Sequence, residues 1–339
     1  MVSLWRIAAL PLLLILTSSV QQTVSTDSCK SPDCPDSVTM AEVTTKPKVT
    51  ELLQQDSEQI IEFLGGIYEH SSWVAKTLVA KELGSITTVS ELANLMKTIV
   101  EDASQEQKLQ LLKAHPDLGA KVAKLKTLTK ESQEEQGKAG LQSMEGAELD
   151  HFNTLNQNYA EKFQFPFILA VRNASKHTVI SALEGRLPNP PQVEFASALT
   201  QVHKIAWMRL LSKLDTDDAT GFLTCHVLDT ANGCPAAYMR VVLTRIVSPT
   251  ETQVIGEFVT NEDGRLEGGP ALKGGKEFKV GVYEWTFYAG DYFARKGTFI
   301  SGTPFLDVIP IRFGIDNPDD HYHVPLLVSP WSFSTYRGS

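Results

Sequence analysis

Cysteine is scarce in this chain, with four among its 339 residues. Cys29 and Cys34 stand together in the polar stretch "DSCKSPDCPDS" and would close a small loop in an oxidising compartment. Cys225 and Cys234 flank an expected strand and its turn. Their spacing fits no zinc pattern, so buried structural thiols are expected. Clusters of Lys and Arg interleaved with aromatics are also missing, and the formal net charge is −9. That balance argues against nucleic acid as a partner. Beyond the first twenty residues no apolar run is long enough to cross a bilayer, so no membrane contact is expected after them. What remains is ordinary globular material, 42% hydrophobic and 21% charged, with length enough for two cores.

The opening "MVSLWRIAALPLLLILTSSVQQ" has one early arginine, an apolar run from Ile7 to Leu16, then small residues. This is the layout of a secretory signal peptide over residues 1–20, with cleavage between about Ser18 and Ser25. A membrane anchor is the alternative, for which the run is short. Residues 21–48 are polar and low in large apolar groups and read as a flexible leader. In the secretory pathway the sequon "NAS" at Asn173 would accept a glycan.

From 49 to 214 the period is helical. "SEQIIEFLGGIYEHSSWVAKTL" repeats apolar residues at three- and four-residue steps, and Ser90 offers N-cap chemistry to "VSELANLMKTIV". "PPQVEFASALTQVHKIAWMRLLSKL" is a long amphipathic helix after a proline break. "NYAEKFQFPFILAVRN" reads as a buried loop or strand-like segment. At 215–221, "DTDDATG", the period changes. From 222 to 339 come "FLTCHVLDT", "AYMRVVLTRIV", "TQVIGEFVT", "FKVGVYEWTFYA" and "IPIRFGI", separated by "NGCP", "NEDGR", "EGGP" and "KGGK". The expected architecture is an all-α domain joined by a short acidic linker to an all-β sandwich.

In the second half, polar residues stand where strands have no packing need for them. His226 lies in "LTCHVLDT", Arg265 in "NEDGR", His321 and His323 in "HYHVPLLVSP". Alternation puts both of the latter histidines on one face and Tyr322 on the other. Singly, each has an ordinary explanation as a hydrogen-bonded histidine or a hairpin turn. As a set, "HVLDTANGCPA", "DGR", "HYHVPLLVSP" and a final "YRGS" resemble the transthyretin-related 5-hydroxyisourate hydrolase family over 222–339. The resemblance implies a homotetramer whose central channel holds the active sites. It implies catalysis by His226, Arg265, His323 and Ser339, a pocket shaped by Tyr336 and Arg337, and a supporting or surface role for His321. A neutral imidazole would take a proton from water while a guanidinium stabilises the carbonyl oxygen. A zinc site from His226, His321 and His323 is the rival, disfavoured by Arg265 and by the lack of a nearby carboxylate. A second rival is a secreted small-ligand carrier without catalysis, as transthyretin is; the carrier lacks the second histidine and the abrupt ending.

The first half has its own set. His115 precedes Pro116 at an expected helix start, Ser132, Glu135 and Gln136 lie in "LTKESQEEQGKAGL", and Arg209 sits in "IAWMRLL". An arginine among apolar neighbours ordinarily snorkels, and a histidine before proline can simply cap a helix. Yet "GGIYEHSSWVAKTL", "HPDLG", "ESQEEQGKAGL", "FQFPFILAVR" and "IAWMRL" occur in the order of the 2-oxo-4-hydroxy-4-carboxy-5-ureidoimidazoline (OHCU) decarboxylase family over 49–214. That resemblance implies a cofactor-free, metal-free, dimeric helical enzyme. It assigns His115 as proton donor, with Pro116 beside it in the binding set. Glu135, counted with the catalytic residues, holds the substrate with Ser132 and Gln136. Arg209 meets a carboxylate, and the backbone of Phe167, Ile168, Leu169, Ala170 and Val171 contacts the ring. Ser72 and Gln164 stand where the family commonly has proline and glycine.

The two families catalyse consecutive steps of urate degradation, and the decarboxylase-then-hydrolase order resembles the bifunctional allantoin synthases of plants. 5-Hydroxyisourate would become OHCU and then (S)-allantoin. Chemistry of this kind is commonly peroxisomal, which is the alternative location. The internal "SKL" at Ser212–Leu214 is not at the chain end, where such an address is read.

Overall fold

The computed structural model describes residues 46–118, 144–171, 175–298 and 302–338. The expected signal segment, most of the leader with Cys29 and Cys34, and Asn173 lie outside them. Helices come first: α1 (Val49–Leu53), α2 (Ser57–Leu64), α3 (Trp73–Val79), α4 (Val89–Glu101), α5 (Gln105–Ala114), α6 (Gly146–Phe163), α7 (Lys176–Arg186) and α8 (Pro191–Lys213). Side-chain caps start several of them. Asp56, Thr88 and Ser104 accept from the backbone N–H three residues on, and Gln59, Glu91 and Gln107 return the bond. Thr88, not Ser90, therefore caps α4. Ser90 lies inside the helix, where its hydroxyl meets Asp319 at 2.6 Å and Asn317 at 3.0 Å.

Leu64, Ile67, Leu78, Leu92, Met96, Leu111, Phe152, Tyr159, Phe167, Val202 and Leu210 share one buried core in this half. Each such side chain contributes roughly 1.5–3 kcal/mol. "NYAEKF" belongs to α6 and is not loop; only the stretch from Gln164 onward leaves the helix.

The second half is β1 (Phe222–Asp229), β2 (Cys234–Pro235), β3 (Arg240–Ser248), β4 (Glu251–Val259), β5 (Leu272–Lys273), β6 (Gly281–Tyr288), β7 (Val308–Ile315), β8 (His321–Val328) and β9 (Phe333–Thr335). One sheet runs β2-β1-β8-β9 with β5 also on β1, the other β4-β3-β6-β7. The half is not purely β, since α9 (Ala289–Lys296) follows β6 and buries Tyr292 and Phe293. Leu223, Val227, Leu243, Trp285, Phe287 and Leu326 fill the space between the sheets. β1 alternates half-buried and buried residues throughout, so Thr224 and His226 face away from that core. Cys225 is buried, whereas Cys234 is only half-buried; both are free thiols.

The linker is packed, not slack. Asp217 pairs with Lys279 and Asp218 with Lys48. Gly221 N–H donates to Pro318 O, and Asp215 N–H to Pro47 O. Lys46–Lys48, the end of the expected leader, are thus tied to the domain junction.

Candidate active sites

His115 closes α5 and does not open a helix. Proline at the next position disfavours helical backbone, and His115 sits at ψ 139°. Its ring folds back so that Nδ1 lies 2.9 Å from Leu111 O. Only an N–H can bond a carbonyl, so Nδ1 carries the proton and Nε2 is left for another partner. Nε2 is buried and has none among the described residues. An orphaned buried polar atom costs about 1–3 kcal/mol, which a ligand can relieve. Burial pulls the His115 pKa down, the bond to Leu111 O and then the negative charge of Glu69 oppose this, and Arg209 and His70 add to it.

Arg209 projects from α8, 3% exposed, and its Nη1 lies 2.8 Å from Glu69 Oε2. The same nitrogen reaches Gly66 O at 3.2 Å. Far from snorkelling, this guanidinium is buried and ion-paired. Glu69 comes from the turn after α2 and holds φ at +47°, a conformation that costs a residue with a side chain about 1–2 kcal/mol. Glu69 escaped the sequence reading. Its signal was an acid directly after the buried pair Ile67 and Tyr68 in "GGIYEHSSW".

After α6 comes the irregular segment from Phe165 to Val171. Phe167, Ile168 and Val171 are buried, Leu169, Ala170 and Pro116 half-buried. Arg186 donates to Ile168 O at 2.7 Å and lies over the Phe167 ring at 4.6 Å. Its guanidinium also pairs with buried Glu194, which accepts from Tyr159 and Asn189 as well. Gln201 accepts from Ala170 N–H at 3.1 Å. The main chain of this segment is thus fixed by side chains where no helix satisfies it. Ser132, Glu135 and Gln136 lie outside the described residues.

The second cluster arises where β1 and β8 pair in parallel, setting Phe222 against His321 and Thr224 against His323. The His226 and His323 rings stand 6.4 Å apart, those of His321 and His323 6.2 Å. Thr224 Oγ1 lies 2.9 Å from His323 Nδ1 and 2.8 Å from His321 Nε2, so one hydroxyl ties both imidazoles. His226 Nε2–H donates to Asp263 O at 2.9 Å, which leaves Nδ1 as the lone-pair nitrogen. The "DGR" hairpin is held to β1 through Val227 N–H and Gly264 O. Gly264 has φ +73°, and a Cβ there would lie 2.3 Å from Val227 O. Only glycine lets the hairpin bring Arg265 into its antiparallel bridge with His226. Burial first and then Arg265 lower the pKa of both His226 and His323. Both imidazoles are thereby biased toward the neutral form.

At the far end, Gly338 N–H donates to His323 O at 2.8 Å. Arg337 turns away from the histidines, pairing with Asp320 at 3.1 Å and covering the Tyr322 ring at 4.5 Å. Tyr336 is exposed, His321 stacks on Phe222, and Ser339 lies outside the described residues. Thr224 is the residue here that the sequence reading passed over. Among the described residues no group of three His, Cys, Asp or Glu is placed to hold a metal.

Comparison with known proteins agrees with this division into a helical and a sandwich half. Residues 54–211 match the OHCU decarboxylase family and residues 223–338 the HIUase/Transthyretin family. The chain belongs to both, as a fusion of an OHCU decarboxylase domain with a transthyretin-like hydrolase domain. It is similar to the crystal structure of an (S)-allantoin synthase, at 62% identity and a TM-score of 0.76, over 86% of this chain and 100% of that one. The first half is 41% identical to a 2-oxo-4-hydroxy-4-carboxy-5-ureidoimidazoline decarboxylase of Halalkalicoccus jeotgali, over 49% of this chain and 91% of that protein. The second is 52% identical to a 5-hydroxyisourate hydrolase of Halalkalibacterium halodurans, over 35% of this chain and 99% of that protein.

Proposed function

We propose that the chain is a bifunctional enzyme that hydrolyses 5-hydroxyisourate to OHCU and decarboxylates OHCU to (S)-allantoin. The observation that carries this reading is His115 Nε2, unpartnered among the described residues and buried in the same charged cluster as Arg209. In the second domain, a neutral imidazole of the His226–His323 pair takes a proton from water. The water oxygen bonds to the ring carbonyl carbon, Arg265 stabilises the oxygen that gains charge, and the ring C–N bond breaks as its nitrogen takes a proton. In the first, Arg209 and the Phe167–Val171 backbone orient the substrate. The C–C bond to the carboxylate breaks, CO2 leaves, and the electron pair passes into the neighbouring imine and carbonyl. His115 rests neutral; with the anionic substrate bound it takes a proton from solvent on Nε2 and gives it to one face of the ring, which sets the (S) configuration. Ser132, Glu135 and Gln136 complete the first site and Ser339 the second; Tyr336 and Arg337 shape the approach to it.

A non-catalytic carrier leaves the whole first domain unexplained, since that half is 41% identical to a decarboxylase. The test separates the steps: His323→Asn leaves 5-hydroxyisourate to decay at its spontaneous rate, whereas His115→Asn makes OHCU accumulate. Both variants behaving as wild type would overturn the assignment.

Assembly and location complete the proposal. A homotetramer forms through the second domain, with paired decarboxylase domains. The outer strand β9 supports this reading: Phe333 and its neighbours Trp331 and Tyr336 are all exposed large side chains. Sedimentation measures the assembly. The apolar run Ile7–Leu16 directs the chain to the secretory pathway, which mass spectrometry of the mature N-terminus and of Asn173 tests against a peroxisomal form.

A further inference from the structure

Decarboxylation places an unusual demand on a cationic site. The substrate carboxylate carries its charge in the ground state and loses it to the ring as CO2 departs. A lone guanidinium would hold the ground state more tightly than the transition state, and so slow the step it serves. Arg209 is not alone. Glu69 Oε2 stands 2.8 Å from its Nη1, with the Glu69 side chain wholly buried. Glu69 also faces His115, and His70 is the further ionisable neighbour on that turn. Asp117, two residues past His115, is held by Asn156 Nδ2 at 2.6 Å. The backbone adopts the left-handed region at Glu69 to bring the carboxylate there, and strained conformations of this kind gather at functional sites.

We infer that Glu69 is a positioning residue for decarboxylation, holding the Arg209 guanidinium in place and offsetting its charge toward the substrate carboxylate. The inference rests on the decarboxylase reading above. Glu69 thereby weakens ground-state binding in favour of turnover. It acts on His115 as well, because its charge favours the protonated imidazole that must donate.

The test uses full-length Glu69→Gln with OHCU supplied directly. Kcat is expected to fall at least tenfold while KM also falls severalfold, the pattern of a lost ground-state penalty. The alkaline limb of the kcat profile moves to lower pH, since His115 loses the charge that favoured its proton. Hydrolysis of 5-hydroxyisourate by the same chain stays at the wild-type rate, and an unchanged helical circular-dichroism spectrum reports that the first domain is folded. If Glu69→Gln does not fold, Glu69→Asp carries the test: the alkaline limb stays in place while kcat drops, because the charge remains but sits farther from Arg209. Unchanged kcat and KM, or a raised KM with an unmoved limb, would overturn the inference and leave Glu69 a structural ion pair. Failure of the wild-type chain to consume OHCU would instead sink the decarboxylase reading.

Discussion

Trp207 Nε1–H donates to the main-chain oxygen of Asp316 at 2.9 Å, across the junction of the two domains. Arg209 lies two residues further along the same helix. On the other side, the Asp316 carboxylate accepts from the Tyr322 hydroxyl, and Tyr322 separates His321 from His323. One loop, Asp316–Asp320, therefore touches elements that carry both clusters. Ser90 adds a second tie to it through Asp319. Replacing Trp207 by Phe keeps the ring packing and removes the donor, at a cost of roughly 0.5–1.5 kcal/mol. Calorimetry is expected to show Tm lower by about 2–4 °C.

In the proposed hydrolase mechanism the base is an imidazole whose pKa is lowered by burial and by Arg265. A base works above its pKa, so the acid limb of the hydrolase profile lies below the ordinary histidine value of about 6.5. Arg265→Gln removes a cation that disfavours protonation. The limb then moves to higher pH while the maximal rate falls about a hundredfold. Stopped-flow absorbance from pH 5 to 8 follows both.

Gly338 lies so close to His323 that a Cβ would stand 2.7 Å from its Cδ2. Thr224 fixes the ring from the other side, so the ring has little room to yield. Gly338→Ala is expected to cut hydrolase kcat more than tenfold and to leave OHCU decarboxylation unchanged.

Gln164 ends α6 at φ +63°, where glycine would be unstrained. Its side chain recovers part of the cost by donating to Glu161 O at 2.7 Å. Gln164→Gly is expected to stabilise the first domain by a net 0.5–1 kcal/mol or so, read as a rise in Tm.

Much of this was legible in the residues, for physical reasons. The helical period of the first half and the alternation in β1 and β8 follow from one-sided burial, so they surface as patterns. That alternation also placed His321 and His323 on one face. Pairing between distant strands has no local signature, so Thr224 stayed invisible until β1 and β8 were seen side by side. Glu69 was hidden differently: its role depends on a left-handed turn that its own residue type disfavours. The short helix α9 escaped because "DYFARK" mixes strand-favouring aromatics with charge over barely two turns. His115 looked like a helix start since proline marks both ends of helices, and only the backbone told which.

Circular dichroism of the allantoin formed from fresh 5-hydroxyisourate reads both activities in one measurement. A single (S) enantiomer is expected, appearing faster than the spontaneous reaction, with neither intermediate persisting. A racemic product forming at the uncatalysed rate would contradict it.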